Sequence, residues 1–158
     1  MALEKYLSNK LKLKVKRTNV GDINVINQMK KNQSILGGEQ SGHIILSNYS
    51  NTGDGILAAL KIIEILIASK LKTSQIFNLY KDYVQEKLNL KYKNKSKNLI
   101  KIINSINNNR SFNNNKIRSL IRLSGTEPLV RILVEGQNKQ TVKKIIVKIK
   151  NMIRLHLD

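Results

Sequence analysis

The fold of the carboxyl-terminal half of this chain is decided by the stretch IRSLIRLSGTEPLVRILVE, residues 117–135. It contains two segments rich in apolar residues, 117–123 and 130–135, separated by the polar residues 124–128. Ser, Gly and Pro, which occur in that separating segment, are typical of turns. Apolar segments of this length bounded by turn residues are typical of strands, so the stretch predicts two strands joined by a short loop.

Helical patterns flank this pair of strands. Apolar residues recur at helical spacing in residues 99–106 and 139–155, and the second segment is also rich in lysine. Asparagine-rich residues 107–109 and 113–115 predict a surface loop between the first helix and the first strand. The order β–α–β–β–α after about residue 88 then predicts a small sheet with helices packed on one face.

The amino-terminal half carries a different mixture of helix and strand patterns. We expect the chain to form two units with a break near residues 72–90, and the composition shifts to lysine and asparagine at residues 89–98. In chain order, we expect a helix at 3–11, a strand at 11–16 where apolar and basic residues alternate, a helix starting at Gly21 and Asp22, a strand–loop–strand unit at 34–47, a helix capped by Asp54, and a helix capped by Ser74 that continues to Leu88.

Composition excludes several classes of protein. The chain has 158 residues and no cysteine, which excludes disulfide scaffolds, thiolate zinc sites and cysteine nucleophiles. The longest apolar stretch, residues 56–68, contains Lys61 and Glu64 and is shorter than the roughly 20 residues that a membrane span needs. No apolar signal core follows Met1. We therefore expect a cytoplasmic protein with no membrane partner.

The chain carries 29 Lys+Arg against 10 Asp+Glu, a formal net charge of +19. Such a charge attracts polyanions, but it equally draws in a small phosphorylated substrate. The lysines are scattered through nearly every segment beside Asn and Ile, and the few aromatic residues form no stacking platform. No recognition-helix or zinc-finger pattern is present. The sequence thus argues against a dedicated nucleic-acid-binding protein.

Residues 122–131 combine groups that suit a phosphate. Arg122 and Arg131 supply two guanidinium groups, Ser124 and Thr126 supply hydroxyls, and Gly125 lets the backbone turn its N–H groups inward. Charge-assisted hydrogen bonds from such donors contribute about 1.5–3 kcal/mol each. An ordinary hairpin turn with solvated arginines explains the same residues, and the spacing alone leaves both interpretations open.

A second loop, GGEQSGH at residues 37–43, is rich in glycine and polar groups. If the loop is extended, alternate side chains point the same way, so Glu39, Ser41 and His43 present a carboxylate, a hydroxyl and an imidazole to one side. These groups can donate to and accept from sugar hydroxyls or an amino group. On the residues alone, a glycine-rich turn with a histidine satisfied by the backbone is favoured over a binding loop.

Taken together, the two loops resemble those of the α-D-phosphohexomutase superfamily. The resemblance rests on residues 36–45, 52–57 and 122–131, with support from residues 17–22, and these motifs occur in the superfamily's order. It therefore extends over most of the chain.

The resemblance implies a fold and a set of site residues. The fold class is α/β and α+β: a partial, mixed α/β third domain at residues 1–75, a connecting helix at 76–87, and a small fourth domain of sheet and helices at 88–158. The sugar would be bound by the 37–43 loop and the substrate phosphate by the 122–131 loop, through Glu39, Ser41 and His43 in the first and Arg122, Ser124, Gly125, Thr126 and Arg131 in the second.

The resemblance also implies a reaction. The residues of the 37–43 loop favour those enzymes of the superfamily that interconvert glucosamine 6-phosphate and glucosamine 1-phosphate for peptidoglycan precursor synthesis. In the complete enzyme a phosphoserine donates its phosphoryl group to one sugar oxygen, and the resulting bisphosphate reorients and returns the other phosphoryl group to the serine. Mg²⁺ is expected for this transfer.

The sequence departs from the superfamily because the phosphoserine loop and the aspartate-rich metal loop are absent. The four aspartates, Asp22, Asp54, Asp82 and Asp158, are too far apart in the sequence to build a local metal loop. We therefore expect no catalytic residue and no metal ligand in this chain, which resembles the carboxyl-terminal third of such an enzyme. It should be inactive alone, and it should either aggregate or bind a separate polypeptide carrying the first two domains.

Two other functions stay open on the sequence. A fragment of a mutase acting on glucose or mannose phosphates would have the same fold, and competition between substrates would distinguish it. A non-catalytic basic binding module would bind oligonucleotides with an affinity that falls steeply with salt, and it would not respond to sugar phosphates.

Overall fold

The computed structural model describes residues 1–157, which form two compact units. The amino-terminal unit comprises Tyr6–Tyr80, and the carboxyl-terminal unit comprises Met1–Lys5 together with the described residues from Lys81 onward. Within residues 1–157, no helix combines the length and the apolar character that crossing a bilayer requires. The elements follow in the order α1 Ala2–Leu11, α2 Asp22–Asn32, β1 Leu36–Gly38, β2 Ile44–Leu46, α3 Gly55–Ser69, α4 Thr73–Phe77, β3 Val84–Lys91, α5 Lys97–Asn108, β4 Ile117–Leu123, β5 Leu129–Gly136 and α6 Lys139–Arg154.

Three antiparallel strands form the sheet of the carboxyl-terminal unit in the order β3-β5-β4, so β5 lies in the centre. Because side chains alternate across a strand, Val130, Ile132 and Val134 of β5 share one face, and they pack with α5 and α6 in the core. These three side chains are at most 2% exposed. Burial of each of these side chains contributes about 1.5–3 kcal/mol to the stability of this unit.

The two helices of this unit begin where side-chain caps satisfy their first N–H groups. Ser96 Oγ accepts a hydrogen bond from the Leu99 N–H at 3.1 Å, and α5 starts at the next residue. Asn138 Oδ1 accepts from the Thr141 N–H at 2.9 Å at the start of α6. Loss of such a cap typically costs about 1 kcal/mol.

Asparagine side chains protect the free edge of β4. Asn107, near the end of α5, accepts a hydrogen bond from the Ile121 N–H at 3.0 Å and donates one to the Ile121 carbonyl at 2.8 Å. Asn113, in the loop that follows, accepts from the Ser119 N–H at 2.9 Å. An open strand edge invites pairing with other chains, and these amides occupy it instead. The predicted surface loop therefore also has a structural role.

In the amino-terminal unit, α2 packs against the hairpin formed by β1 and β2. Val25 and Met29 of α2 and Ile45 of β2 form its small core. Gly37 of β1 lies so close to α2 that a Cβ atom would overlap Met29 Sδ and would lie 2.8 Å from Val25 Cγ1. The first glycine of the 37–43 loop is thus required for packing.

α3 is apolar on nearly all sides and yet mostly exposed. Its cap forms as the sequence predicts, because Asp54 Oδ1 accepts a hydrogen bond from the Leu57 N–H at 2.9 Å. Ala58 is the one buried residue of this helix, whereas Ile56 is 77% and Ile67 is 72% exposed. Helices that are apolar all round are normally buried in the core of a larger protein. The described residues therefore leave apolar surface on α3 uncovered.

The predicted helix from Ser74 to Leu88, and with it the connecting helix at 76–87, is wrong. α4 starts at Thr73 and ends at Phe77, and residues 84–91 form β3. The apolar residues of this segment fit both a helical and an alternating pattern. β3 pairs with β5 along its whole length, and these hydrogen bonds stabilise the strand over a helix.

The predicted strand at residues 11–16 is also wrong. Residue 11 ends α1, and residues 12–16 have no regular secondary structure and are all exposed. Lys12 has a φ of 57°, which breaks an extended conformation. Alternation produces a strand only where a neighbouring strand accepts its hydrogen bonds, and within residues 1–157 no strand pairs with this segment.

Candidate functional site

The 122–131 loop joins two neighbouring strands whose register places its arginines side by side. Arg122 of β4 pairs directly with Arg131 of β5. Both residues occupy positions opposite to the core-facing ones, so their side chains share the face of the sheet that points away from α5 and α6. We call this the open face. Side chains that pair in this way have Cβ atoms about 4.5–5.5 Å apart, so the two guanidinium groups lie within reach of one small anion.

The positive charge of this arginine pair is only partly neutralised. Arg131 Nη2 donates to Glu127 Oε2 at 3.1 Å, and both side chains remain well exposed. Arg131 Nε is buried and has no hydrogen-bond acceptor. The half-buried Arg122 has no acceptor or ion-pair partner among residues 1–157. The pair therefore keeps donors available for a ligand.

The backbone between the two arginines forms a short loop with free donors. The Ser124 N–H donates to the Leu129 carbonyl at 2.8 Å, and the Leu129 N–H donates to the Glu127 carbonyl at 2.8 Å. The N–H groups of Gly125 and Thr126 have no acceptor in the described part of the chain. Gly125 and Thr126 are both exposed, and no atom outside residues 124–126 lies within 4 Å of the position a Gly125 Cβ would occupy, so the loop is open to solvent here. Successive free N–H groups of this kind bind anions.

The 37–43 loop is a tight turn, as the residues alone favoured, and does not have the extended form on which the sugar-binding hypothesis was argued. The Glu39 N–H donates to the His43 carbonyl at 2.9 Å, and the Gly42 N–H donates to the Glu39 carbonyl at 3.1 Å. Gly42 has a φ of 99°, a conformation that favours glycine. The turn, rather than strand alternation, brings the polar side chains together.

The three predicted sugar-binding residues do form a cluster. His43 Nδ1 lies 3.3 Å from Ser41 Oγ and 3.8 Å from Glu39 Oε2. Ser41 and His43 are exposed, whereas the Glu39 side chain is only 18% exposed. Glu39 Oε1 accepts a hydrogen bond from the Gly21 N–H at 2.8 Å. Glu39 therefore ties the segment before α2 to this loop, and Ser41 and His43 offer their donors and acceptors to solvent.

A buried carboxylate on the open face has structural partners. Glu135 Oε1 accepts from Arg118 Nη1 at 2.9 Å and lies 3.4 Å from the Met1 ammonium group, and Glu135 Oε2 accepts from Gln85 Nε2 at 3.2 Å. Burial raises the pKa of Glu135, but the hydrogen bond from Arg118 and the positive charges of Arg118 and Met1 outweigh it and leave the pKa below its ordinary value. Glu135 is thus an ionised structural anchor.

The prediction from the sequence missed the contribution of β3 to the open face. Asn89 pairs with Arg131, and Lys91 pairs with Leu129 next to the 122–131 loop. Alternation places both side chains on the same face as the arginines. The signal is present in the alternating pattern of residues 84–91, of which residues 84–88 are assigned to a helix in the sequence-based prediction.

Solved structures assign the fold. Aspergillus fumigatus N-acetylphosphoglucosamine mutase is similar with a TM-score of 0.76 over 97% of this chain and 36% of that chain, at 19% sequence identity. The same enzyme in complex with GlcNAc-6P and magnesium is similar with a TM-score of 0.72 over 99% of this chain and 37% of that chain, at 16% identity. At this level of identity the likeness shows the fold alone. The chain therefore has a phosphohexomutase fold, in which a mixed α/β domain precedes a small domain of sheet and helices.

Family models match both units. The model for the phosphoglucomutase/phosphomannomutase alpha/beta/alpha domain III matches residues 1–83, and the model for the C-terminal domain of the same proteins matches residues 87–152. The chain belongs to the phosphoglucomutase/phosphomannomutase family, which confirms the resemblance found in the sequence.

The chain is also similar to two curated phosphoglucosamine mutases. The phosphoglucosamine mutase of Campylobacter curvus is 43% identical over 143 residues, which cover 90% of this chain and 32% of that protein. The phosphoglucosamine mutase of Fusobacterium nucleatum is 37% identical over 162 residues, which cover 100% of this chain and 36% of that protein. The chain thus spans about a third of the length of these relatives and corresponds to their carboxyl-terminal domains.

Proposed function

We propose that this chain is the substrate-binding, carboxyl-terminal part of a phosphoglucosamine mutase, which interconverts glucosamine 6-phosphate and glucosamine 1-phosphate. The observation that carries the proposal is the pairing of Arg122 with Arg131 beside the free N–H groups of Gly125 and Thr126. The identity of the curated relatives supports an amino sugar over a hexose as the substrate.

In this proposal the 122–131 loop holds the phosphate that is not being transferred. Arg122 and Arg131 each direct N–H donors at its oxygens, and the hydroxyls of Ser124 and Thr126 and the N–H of Gly125 add neutral donors. Glu127 occupies one donor of Arg131 in the ligand-free chain. A phosphate dianion carries more charge than this exposed carboxylate and therefore displaces it from Arg131.

The 37–43 loop holds the sugar. Glu39 accepts a hydrogen bond from an amino group or hydroxyl, while Ser41 and His43 can both donate and accept. The cluster of these three groups and the exposure of Ser41 and His43 support this role. The Glu39 carboxylate keeps its bond to the Gly21 N–H, so that it acts from a fixed position.

The chemical step needs groups that this chain does not supply. In the complete enzyme a phosphoserine gives its phosphoryl group to one sugar hydroxyl, which loses its proton while the serine oxygen gains one, and the reverse exchange at the other sugar oxygen restores the phosphoserine. Magnesium supplies charge neutralisation. Within residues 1–157 no group of three or more His, Asp or Glu side chains could hold a metal ion. We therefore assign the phosphoserine and the metal to other domains. This chain alone should then be inactive.

A separate polypeptide carrying the first two domains is the proposed protein partner. The exposed apolar surface of α3 supports this proposal, because apolar surface of this kind normally lies inside an assembled protein. Two further statements stay predictions. They are that the protein is cytoplasmic and that the product of the reaction is used to make peptidoglycan precursors.

Binding to the full chain tests the first part of the proposal. Titration with glucosamine 6-phosphate should shift the backbone amide resonances of Gly125 and Thr126, and Arg122→Gln should weaken this response at least tenfold. Arg110→Gln, which removes an exposed arginine outside the loop, is the matched control and should respond as the unsubstituted chain does. If glucosamine 6-phosphate does not shift these amides in the unsubstituted chain, the proposal is wrong.

Complementation tests the second part. The chain is mixed with a polypeptide carrying the family's first two domains, Mg²⁺ and a sugar bisphosphate activator. Conversion of glucosamine 1-phosphate should require both polypeptides, and glucose or mannose phosphates should compete weakly. Turnover by this chain alone would contradict the assignment of the phosphoserine and the metal to other domains.

A further inference from the structure

β3 brings a third cation to the open face at the level of the 122–131 loop. Lys91, the last residue of β3, pairs with Leu129, which lies within the 122–131 loop as the first residue of β5. It is therefore the diagonal neighbour of Arg131, two positions along the adjacent strand. Diagonal neighbours on one face lie about 7–8 Å apart, a distance that long side chains span.

The backbone holds Lys91 at this position. The Tyr92 N–H donates to the Pro128 carbonyl at 3.1 Å, so the end of β3 is hydrogen-bonded to the 122–131 loop itself. The next residue is anchored as well, because the Lys93 N–H donates to the Leu157 carbonyl at 2.9 Å. The pairing of Lys91 with Leu129 and the two hydrogen bonds directly after it therefore fix the backbone position of Lys91.

The charges along the open face are unevenly neutralised. At the end far from the loop, Arg118 and the Met1 ammonium share the buried Glu135. At the loop end, Arg122 and Lys91 have no acidic partner among residues 1–157, and Glu127 is the one carboxylate bound to Arg131. The loop end therefore carries excess positive charge at the place where the anion is proposed to bind.

We propose that Lys91 is a further phosphate-binding residue, which completes a site of three cations with Arg122 and Arg131. The inference rests on the proposed function, because it assigns a residue to the same phosphate. A phosphate group carries close to two negative charges at neutral pH. Even when Glu127 is displaced from Arg131, its negative charge stays in the same loop and offsets part of the charge of the two arginines. The flexible four-carbon stem of Lys91 can bring a further positive charge to a free phosphate oxygen.

Substitution at two lysines of the same strand tests the inference. Lys91→Ala and Lys87→Ala each remove one exposed charge from the same face of β3, but Lys87 is four residues further from the loop. Four strand residues span about 13 Å, beyond the reach of the bound phosphate. Affinities for inorganic phosphate and for glucosamine 6-phosphate are measured on the full chain from the Gly125 and Thr126 amide shifts, at constant ionic strength.

Lys91→Ala should weaken both affinities about five- to tenfold, Lys91→Arg should restore most of the loss, and Lys87→Ala should change them less than about twofold. Unchanged affinity in Lys91→Ala, or an equal loss in Lys87→Ala, would overturn the assignment of Lys91. Arg122→Gln separates this failure from failure of the proposed function: a loss there with none at Lys91 rejects Lys91 alone. Absence of any phosphate response in the unsubstituted chain rejects both.

Discussion

Arg122 and Arg131 lie directly opposite each other on adjacent strands and share one face of the sheet. Like charges in this position destabilise a sheet, by up to about 1 kcal/mol for each pair. The arrangement therefore lowers the stability of the ligand-free chain, and a bound anion removes that repulsion. This relationship supports a binding role for the pair over a purely structural one.

Replacing one arginine should separate stability from binding. In phosphate-free buffer, Arg122→Gln should leave the free energy of unfolding of the carboxyl-terminal unit unchanged or raise it by up to about 1 kcal/mol, because it removes the repulsion. Phosphate at about 100 times its dissociation constant should stabilise the unsubstituted chain by about 2.7 kcal/mol. Urea unfolding with and without phosphate measures both effects, and an equal phosphate stabilisation in Arg122→Gln would contradict the assignment.

Gly37 should be intolerant of any side chain. A methyl group there would overlap Met29 Sδ and approach Val25 Cγ1, both in the core of the amino-terminal unit. We expect Gly37→Ala to lower the free energy of unfolding of this unit by about 1–3 kcal/mol. Gly55→Ala, where no atom lies within 4 Å of the new Cβ, is the matched control and should not destabilise. Amide hydrogen exchange of α2 reports the difference.

Glu39 should stabilise the segment before α2 in addition to its proposed role in sugar binding. Glu39→Ala removes the acceptor of the Gly21 N–H, and the loss of about 1 kcal/mol should speed hydrogen exchange of that amide about fivefold. Ser41→Ala leaves the bond intact and should not change the Gly21 exchange rate. An unchanged rate in Glu39→Ala would show that this hydrogen bond does not hold the segment in solution.

Glu135 should make the carboxyl-terminal unit sensitive to acid. A carboxyl whose pKa is lower in the folded than in the unfolded chain stabilises the fold above its unfolded pKa, about 4.3, and loses that contribution as the pH falls through its folded pKa. The free energy of unfolding should therefore decrease below about pH 4.5.

Glu135→Gln should have a lower free energy of unfolding at pH 7, because Arg118 then faces a neutral amide in place of a carboxylate. Its free energy of unfolding should also decrease less as the pH falls. Glu127→Gln, a change of an exposed carboxylate in the same unit, is the control and should keep the acid dependence. Urea unfolding at pH 3 to pH 7 measures the profile. Identical profiles for Glu135→Gln and the unsubstituted chain would rule out this role.

The exposed surface of α3 should make the isolated chain self-associate. Charges placed on it by Ile56→Lys with Ile67→Lys should reduce concentration-dependent sedimentation and the binding of a hydrophobic dye. Val147→Lys, a similar change at an exposed position on α6, is the control and should have little effect. The same double substitution should weaken complementation by the first two domains. A monomeric unsubstituted chain that binds no dye would contradict the prediction.

The carboxyl-terminal unit was largely predictable because local signals agreed with tertiary contacts. β4, β5, α5 and α6 lie where the pattern of apolar residues places them. The first five residues of β3, 84–88, are predicted as helix because their apolar residues suit both periods, and only pairing with β5 excludes the helix. The same tertiary contact adds Lys91 to the open face, a residue that no motif had indicated.

The amino-terminal unit shows the converse. Residues 11–16 have the alternation of a strand but no neighbouring strand in residues 1–157, and they stay exposed. In the 37–43 loop, a turn that includes Gly42 brings Ser41 next to His43, so the side chains cluster without the extended conformation from which their binding role was argued. The role of Glu39, Ser41 and His43 in sugar binding stays a prediction.

The sequence alone specified the candidate residues for phosphate and sugar binding, because charge, hydroxyl groups and glycine are properties of the residues and their order. The tertiary structure decided which of these groups face one another. Strand register placed Arg131 opposite Arg122 and brought Lys91 beside the loop, and folding of α2 onto its hairpin linked Glu39 to Gly21. Contacts between residues far apart in sequence depend on the packing of the whole unit, and a local pattern does not contain them.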